Sequence, residues 1–495
     1  MLFFGPRIRD YEVWGRLGQG GMSEVWLAKH VLLSVPVIMK TLRPATTQSA
    51  AEGVDLMLRE ARHMARIASP RVVRATDAGI HEGVPYLVEE YVDGIDLAEL
   101  DMRRRKSIGV GLPLWFVAYA MSETCHALHA AHQAGVIHRD VKPSNLFGHP
   151  EVGVRLGDFG LAVTQADPGA REASGTVKFM APEQLRCDVL DRYTDVYGAG
   201  ATACDLRYGR TPFTSVAAIL DQSIRPGFPP PARPAEAYFQ HLVAWMMEKD
   251  CHRRPQDALE PALHFAALSR ALRPDALSPG AACTGPNEFV VGRCSIALVV
   301  GDIAAAEADA IVSSSNYEMK MQSGVALALR TAGGDAIEAE AMKDGEHPLG
   351  SCIATGAGTL RARHVLHAVS AWNEASCVGR AVLRALLLAD EIGARTLAMP
   401  ALGTGAARVS LETCAHAMTT AIRWHVALGG SRLERVRIFL GDETKLRVFR
   451  GVMNEALRGE GETIGANDLG LPVEEAEVRT DGATMLDSGL LLRSR

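Results

Sequence analysis

Residues 138–145 read His-Arg-Asp-Val-Lys-Pro-Ser-Asn, and Asp158-Phe159-Gly160 follows after a short hairpin-like stretch. Moving a phosphoryl group onto a hydroxyl needs a carboxylate to orient the attacking oxygen, a cation to offset developing charge, and a divalent metal held by oxygen ligands. Asp140, Lys142, and the pair Asn145 and Asp158 supply those side-chain types in one local unit. Upstream, Leu17-Gly18-Gln19-Gly20-Gly21-Met22-Ser23-Glu24-Val25 lies between two apolar, strand-like runs. Glycine there lets backbone approach phosphate closely, although the same residues in isolation would also make a tight hairpin turn. Val35–Met39 reads as a strand that ends on Lys40, and a helical stretch carries Glu60 in Leu58-Arg59-Glu60-Ala61. An ion pair between Lys40 and Glu60, gripping nucleotide phosphates, is therefore expected.

These elements, with Gly175-Thr176 and Ala181-Pro182-Glu183 further on, resemble the bacterial eukaryotic-like Ser/Thr protein kinases over residues 8–270. The resemblance implies a strand-rich small lobe over a helical large lobe, with ATP and Mg²⁺ (or Mn²⁺) in the cleft between them. It assigns Asp140 as catalytic base and Lys142 to the γ-phosphate, the latter favouring Ser/Thr over Tyr hydroxyls. Asn145 and Asp158 become the metal ligands. Leu17, Gly18, Gly20, Gly21, Ser23, Val25, Lys40, Glu90 and Val92 line the nucleotide, with Glu60 as partner of Lys40. Asp195, in Tyr193-Thr194-Asp195-Val196-Tyr197, matches the aspartate that braces the catalytic loop. Arg254 matches the arginine that pairs with Glu183.

Three residues depart from the family pattern. Glu89 stands where the pocket behind the adenine usually has an apolar or small side chain, and a carboxylate there is costly unless paired. Ile38 replaces a common alanine, and Gly157 precedes Asp158. Together they could narrow the adenine pocket, which keeps a pseudokinase scaffold as a rival reading. Arg139 before the base is commonly neutralised by a phosphorylated activation segment, for which Ser174 and Thr164 are the candidates once Thr176 takes the structural position.

After the Pro/Gly/Ala-rich stretch 271–286, which reads as a linker, the pattern changes to strands alternating with helices. Strands are expected at Ile296–Ile303, Ala310–Asn316, Val365–Val369, Thr396–Pro400 and near Val436–Leu440, with helices from Gly324 and over Val378–Ile392. Ligands of such folds sit at the carboxyl ends of strands. The loops there, Gly301-Asp302-Ile303, Ser313-Ser314-Ser315-Asn316, Ser323-Gly324-Val325 and Leu402-Gly403-Thr404-Gly405-Ala406, resemble the macrodomain family over residues 287–455. That resemblance implies ADP-ribose as ligand, with small residues letting backbone amides surround a diphosphate. Asp302, beside Ile303, would accept from the adenine amino group and Asn316 would contact the distal ribose. Ser323, Gly324 and Val325 would line one side of the diphosphate, and Gly403, Thr404, Gly405 and Ala406 the other. Ser313 and Ala326 replace an Asn and a carboxylate of the hydrolase branch. A binding module is therefore favoured over a bifunctional enzyme that also removes ADP-ribose. His367, in an apolar strand, reads as a core residue rather than a base.

The expectation is a multidomain chain: an α+β bilobal protein kinase fold followed by a three-layer α/β/α macrodomain, with a flexible tail over 456–495. Its 495 residues exceed one ordinary core, and 47% hydrophobic with 22% charged residues is globular composition. A net charge of −6 argues against nucleic acid or anionic membrane as partner. Nine cysteines without a Cys-x-x-Cys pair suggest neither a disulfide framework nor zinc. With no signal core or long apolar run, a cytoplasmic protein is expected. Its partners would be protein substrates and ADP-ribose or ADP-ribosylated proteins. Phosphothreonine readers would follow if Thr463, Thr480 or Thr484 in the acidic tail were modified.

Overall fold

The computed structural model describes residues 7–19, 23–42, 57–58, 60–149, 153–159, 176–273, 282–372, 375–405 and 408–458. Gly20, Gly21, Gly160, Thr164, Ser174, Ala406 and the threonines of the tail fall outside them.

The N-terminal part opens with a six-stranded antiparallel sheet. Its spatial order is Arg7–Ile8, Tyr11–Gln19, Ser23–His30, Pro36–Leu42, Val84–Glu90 and Ala75–His81. Below it the chain turns helical. Leu114–Gln133 is largely apolar and runs buried through the centre of the lower lobe, taking the polar Ser122, Glu123, Thr124 and His126 inside with it. Around it stand Leu97–Ile108, Arg192–Tyr208, Pro234–Met246 and Leu259–Leu272. The Leu97–Ile108 helix starts where Asp96 accepts the Glu99 amide at 2.8 Å and stops at Gly109, whose φ is +74°. Between the lobes, the small sheet of Ile95–Asp96, Leu146–His149 and Gly153–Leu156 carries the two motifs that flank the cleft.

The second half is built on an eight-stranded sheet in the order Ala282–Gly285, Glu288–Val291, Cys294–Val300, Arg435–Leu440, Thr396–Pro400, Ala310–Ser315, His364–Val369 and Cys352–Gly356. The strands from Cys294–Val300 to His364–Val369 are all parallel to one another. Period-two alternation divides their side chains between two faces. Ile311, Val365 and Ala398 enter one core with Leu329 and Ile337 of the helices on that side. Val312, Leu366, Met399 and Ile438 enter the other core with residues of Val378–Glu391, Leu411–Ala427 and Glu443–Arg458. The result is the three-layer α/β/α arrangement read from the sequence. The strand Ala282–Gly285 lies inside the stretch expected to be linker, because its pairing with Glu288–Val291 satisfies backbone that a free linker would leave to solvent.

The two halves share a buried seam. Phe116 of the central helix and Trp424 of Leu411–Ala427 meet edge to face, with ring centroids 5.7 Å apart. Among the described residues no helix is long and apolar enough to cross a membrane.

Candidate active site and ligand loops

The catalytic loop is held by one buried carboxylate. Asp195 Oδ2 accepts the His138 amide at 2.8 Å and Oδ1 the Arg139 amide at 2.7 Å, while His132 Nε2 lies 2.8 Å from Oδ2. This grip offsets a strained backbone, since Arg139 sits at φ +69° and Asp158 at +60°, a region non-glycine residues seldom occupy. Gly157 next to Asp158 is explained by space: a Cβ there would lie 2.9 Å from Phe147 Cε2 and 3.1 Å from Val73 Cγ2. His138 Nε2 lies 3.0 Å from the Gly157 carbonyl, and its ring packs on Phe159. The two motifs are thereby locked together.

At the centre, Asp140 Oδ2 accepts from Lys142 Nζ at 2.7 Å and from Asn145 Nδ2 at 3.3 Å, and Nδ2 also donates to the Asp140 carbonyl at 2.8 Å. Asp140 Oδ1 is buried with no hydrogen-bond partner among the described residues. With its amide nitrogen engaged, Asn145 keeps its side-chain carbonyl oxygen for a metal, and Asp158 adds a carboxylate. Two such hard oxygen donors fit Mg²⁺ or Mn²⁺. The Lys40 ammonium beside Asp158 holds its carboxyl below the usual carboxylate range. Arg254 binds Glu183 through two parallel bonds, 2.7 and 2.9 Å long. Gln184 Nε2 then ties that helix to the Arg139 carbonyl at 2.8 Å.

Lys40 does not pair as expected. Its Nζ lies 2.9 Å from Glu89 Oε1 and 3.2 Å from Asp158 Oδ1. Glu60 is buried, and among the described residues neither of its oxygens has a hydrogen-bond partner. Burial pushes its carboxyl up to about 8, with Lys40 opposing that shift. Burial pulls Lys40 down, but Asp158, Glu89 and Glu60 outweigh it and keep the ammonium above its usual range. Glu89, a costly residue from the sequence, thus meets an opposite charge, although its Oε1 makes no hydrogen bond of good geometry to it. Val25, Leu17, Gly18 and Ser23 lie on the paired strands above, and Glu90 at the hinge is held by Arg155 at 2.7 Å, with Val92 following it.

In the second half, parallel strands carry the ligand loops to one edge. Asp302 Oδ1 accepts the Ala304 amide at 2.9 Å, with Ile303 buried behind it. Asn316 Oδ1 accepts the Lys320 amide at 3.0 Å and closes the loop after Ala310–Ser315. Ser323 precedes the ten-residue helix Gly324–Gly333 and makes no side-chain cap, so the first amides, Val325 among them, are left for an anion. Gly403, at φ +74°, turns the neighbouring loop; Thr404 Oγ1 donates to the Ala401 carbonyl at 3.0 Å and Gly405 is exposed.

His367 is fully buried and lies 2.9 Å from Thr355 Oγ1. Burial pulls its imidazole down to about 4. The unfolded ring protonates near 6.5. Its contribution is therefore complete above about pH 6.5 and is lost as pH falls toward 4, by about 3 kcal/mol in full. His367→Gln should remove that acid-side slope, read as the unfolding midpoint of wild type and variant between about pH 7 and 4.5.

Sequence reading missed the residues that seat one half on the other. Asp93, just past the hinge, accepts the Gly379 and Arg380 amides at 3.0 and 3.1 Å, at the start of Val378–Glu391, and Tyr91 donates to it at 2.8 Å. Arg384 makes a two-pronged pair with Glu99, its Nε 2.7 Å from Oε1, and donates to the Gly350 carbonyl at 2.9 Å. Arg104 donates to the Leu428 and Gly429 carbonyls at 3.1 and 3.0 Å. Leu17, Ile38 and Tyr91 share one apolar cluster with Tyr317, Met319 and Leu349, so the loop that begins at Asn316 packs beside the nucleotide cleft. The one sequence signal was Ile38, whose extra bulk belongs to this cluster.

The family model described as protein kinase domain matches residues 11–264, and the one described as macro domain matches residues 312–418. Serine/threonine-protein kinase PknB of Mycolicibacterium smegmatis is 32% identical over 285 residues, covering 54% of this chain and 44% of that protein. Serine/threonine-protein kinase Pkn1 of Myxococcus xanthus is 32% identical over 300 residues, 55% of this chain and 41% of that protein. The chain thus spans less than half the length of these curated relatives. Among solved structures, a mutant kinase domain of Mycobacterium tuberculosis PknI is 25% identical with a TM-score of 0.43, covering 54% of this chain and 100% of that one.

Proposed function

The chain belongs to the protein kinase family, and from that premise we propose that it transfers the ATP γ-phosphoryl group to Ser/Thr hydroxyls of proteins, with the macro domain as its ADP-ribose sensor. The observation that carries the first half is Asp140 Oδ1, a buried and unpartnered acceptor on a carboxylate whose other oxygen is neutralised by Lys142. A substrate hydroxyl donating to it would be oriented for attack and relieved of its proton. Lys142 stands where the transferred group gathers charge. Lys40 would hold the phosphates of the nucleotide, and Asn145 and Asp158 would hold Mg²⁺, which neutralises phosphate charge when bound.

The sensor half is supported by the shared cluster. Tyr317 and Met319, next to the proposed ribose contact Asn316, are packed with Leu17, Ile38 and Tyr91 at the nucleotide cleft. A ligand that moves this loop would disturb the walls of the ATP site. Binding without hydrolysis is favoured by Ala326, an apolar buried residue where the hydrolase branch has a carboxylate.

The test is phosphorylation by the purified chain, on itself and on a basic protein, with and without ADP-ribose. Label that depends on Asp140, and a KM for ATP that shifts by about threefold or more with ADP-ribose, is expected. Coupling in binding is reciprocal, so ADP-ribose should change the affinity for an unreactive ATP analogue by the same factor as that analogue changes ADP-ribose affinity. Asp140-independent label defeats the kinase reading, and an unmoved KM with ADP-ribose bound defeats the sensor reading.

A further inference from the structure

We propose that Glu89, not Glu60, is the positioning carboxylate for Lys40. The inference rests on the reading of Lys40 as the phosphate-holding residue. Sheet register produces the pair. Pro36–Leu42 runs antiparallel to Val84–Glu90, with Ile38 opposite Glu89 and Lys40 opposite Leu87. Lys40 and Ile38 are two apart and so share a face, and their partners share it too. Glu89 is consequently the diagonal neighbour of Lys40 on the cleft side of the sheet, a separation that two long side chains can span. They meet at 2.9 Å, with 8% of Lys40 and 4% of Glu89 exposed.

Glu60, by contrast, is 2% exposed and makes no ion pair with Lys40; among the described residues neither its oxygens nor Glu89 Oε1 has a hydrogen bond of good geometry, so charge and the 2.9 Å approach are what set Glu89 apart. One ammonium cannot be aimed by a carboxylate it does not touch. The Lys40 head group is instead stretched between Glu89, behind the adenine position, and Asp158, beside the phosphate position. Removing Glu89 would leave a buried ammonium with Asp158 as its remaining bonded partner and free it to swing along the cleft. A residue that usually lines the adenine pocket thereby carries the aiming role of the helix glutamate.

The experiment compares Glu89→Gln and Glu60→Gln in the full chain, reading Mg·ADP affinity by calorimetry beside KM and kcat for ATP. Glu89→Gln should weaken Mg·ADP and raise KM by about tenfold while kcat changes less, and Glu60→Gln should stay within about twofold on every readout. In a Lys40→Met background Glu89→Gln should have no further effect, which a merely structural role would not produce. If Glu89→Gln does not fold, Glu89→Met, an apolar side chain suited to that pocket, should show the same loss. Failure of the kinase reading is separable, because Mg·ADP binding needs no phosphoryl transfer. Equal or larger losses in Glu60→Gln, or tighter nucleotide binding in Glu89→Gln, would overturn the proposal.

Discussion

Asp140→Asn should lower Mg·ATP-dependent labelling by about 10²–10⁴-fold at saturating ATP, the usual worth of a positioned proton acceptor. The substitution preserves shape and keeps the catalytic loop on Asp195, which holds the loop through backbone amides rather than through Asp140. What it removes is the negative charge between Lys142 and the incoming hydroxyl. An amide placed there can turn a donor toward Lys142 or toward the substrate, and neither orientation accepts a proton as a carboxylate does. Nucleotide affinity should hold within about threefold, because Lys40 and Asp158 are untouched. Initial rates of wild type and variant, with circular dichroism to confirm folding, decide the matter. A variant that keeps a rate within about tenfold of wild type would strip Asp140 of the role proposed for it.

Arg384→Ala should have the largest effect on stability, about 3–5 kcal/mol, the range for breaking one side of a buried ion pair. Arg384 is 8% exposed and satisfies both oxygens of Glu99 and the Gly350 carbonyl. Without it Glu99 retains Arg103, at 2.8 Å, so the lower end of that range is the firmer expectation. Arg384→Lys should recover little, since an ammonium cannot reproduce the planar two-pronged bond. The loss belongs to the seam between the halves. Denaturant unfolding should therefore separate into two transitions. A single unshifted transition would show that the pair contributes nothing to holding the halves together. Replacing both Glu99 and Arg384 by Met should restore part of the loss by removing the stranded charge.

Legibility followed sequence distance. The proposed base, its lysine and the proposed metal ligand Asn145 lie within His138–Asn145, so spacing along one loop was enough to read them together. The alternating strands and helices of the second half were equally plain, because near-continuous apolar runs such as Val365–Val369 have few alternatives to a parallel strand covered on both faces. The partner of Lys40 was not legible in that way. Two carboxylates, Glu60 and Glu89, were available, and which one reached the ammonium depended on the register between strands separated by a long stretch of chain. Glu99 and Arg104 carried no signal, since acidic and basic residues on a helix are ordinary until something is packed against them, and Asp93, in the turn before Ile95–Asp96, reads as an ordinary loop residue.

By itself the amino-acid order determined the motifs of the two candidate sites and the kind of fold that carries each, because those depend on local spacing and on the period of apolar residues. Only the tertiary structure decided that Glu89 takes Lys40 and that the loop after Asn316 packs beside the nucleotide cleft. Both outcomes come from packing between distant segments, where the cost of an unpaired buried charge selects the partner and no local pattern records the choice.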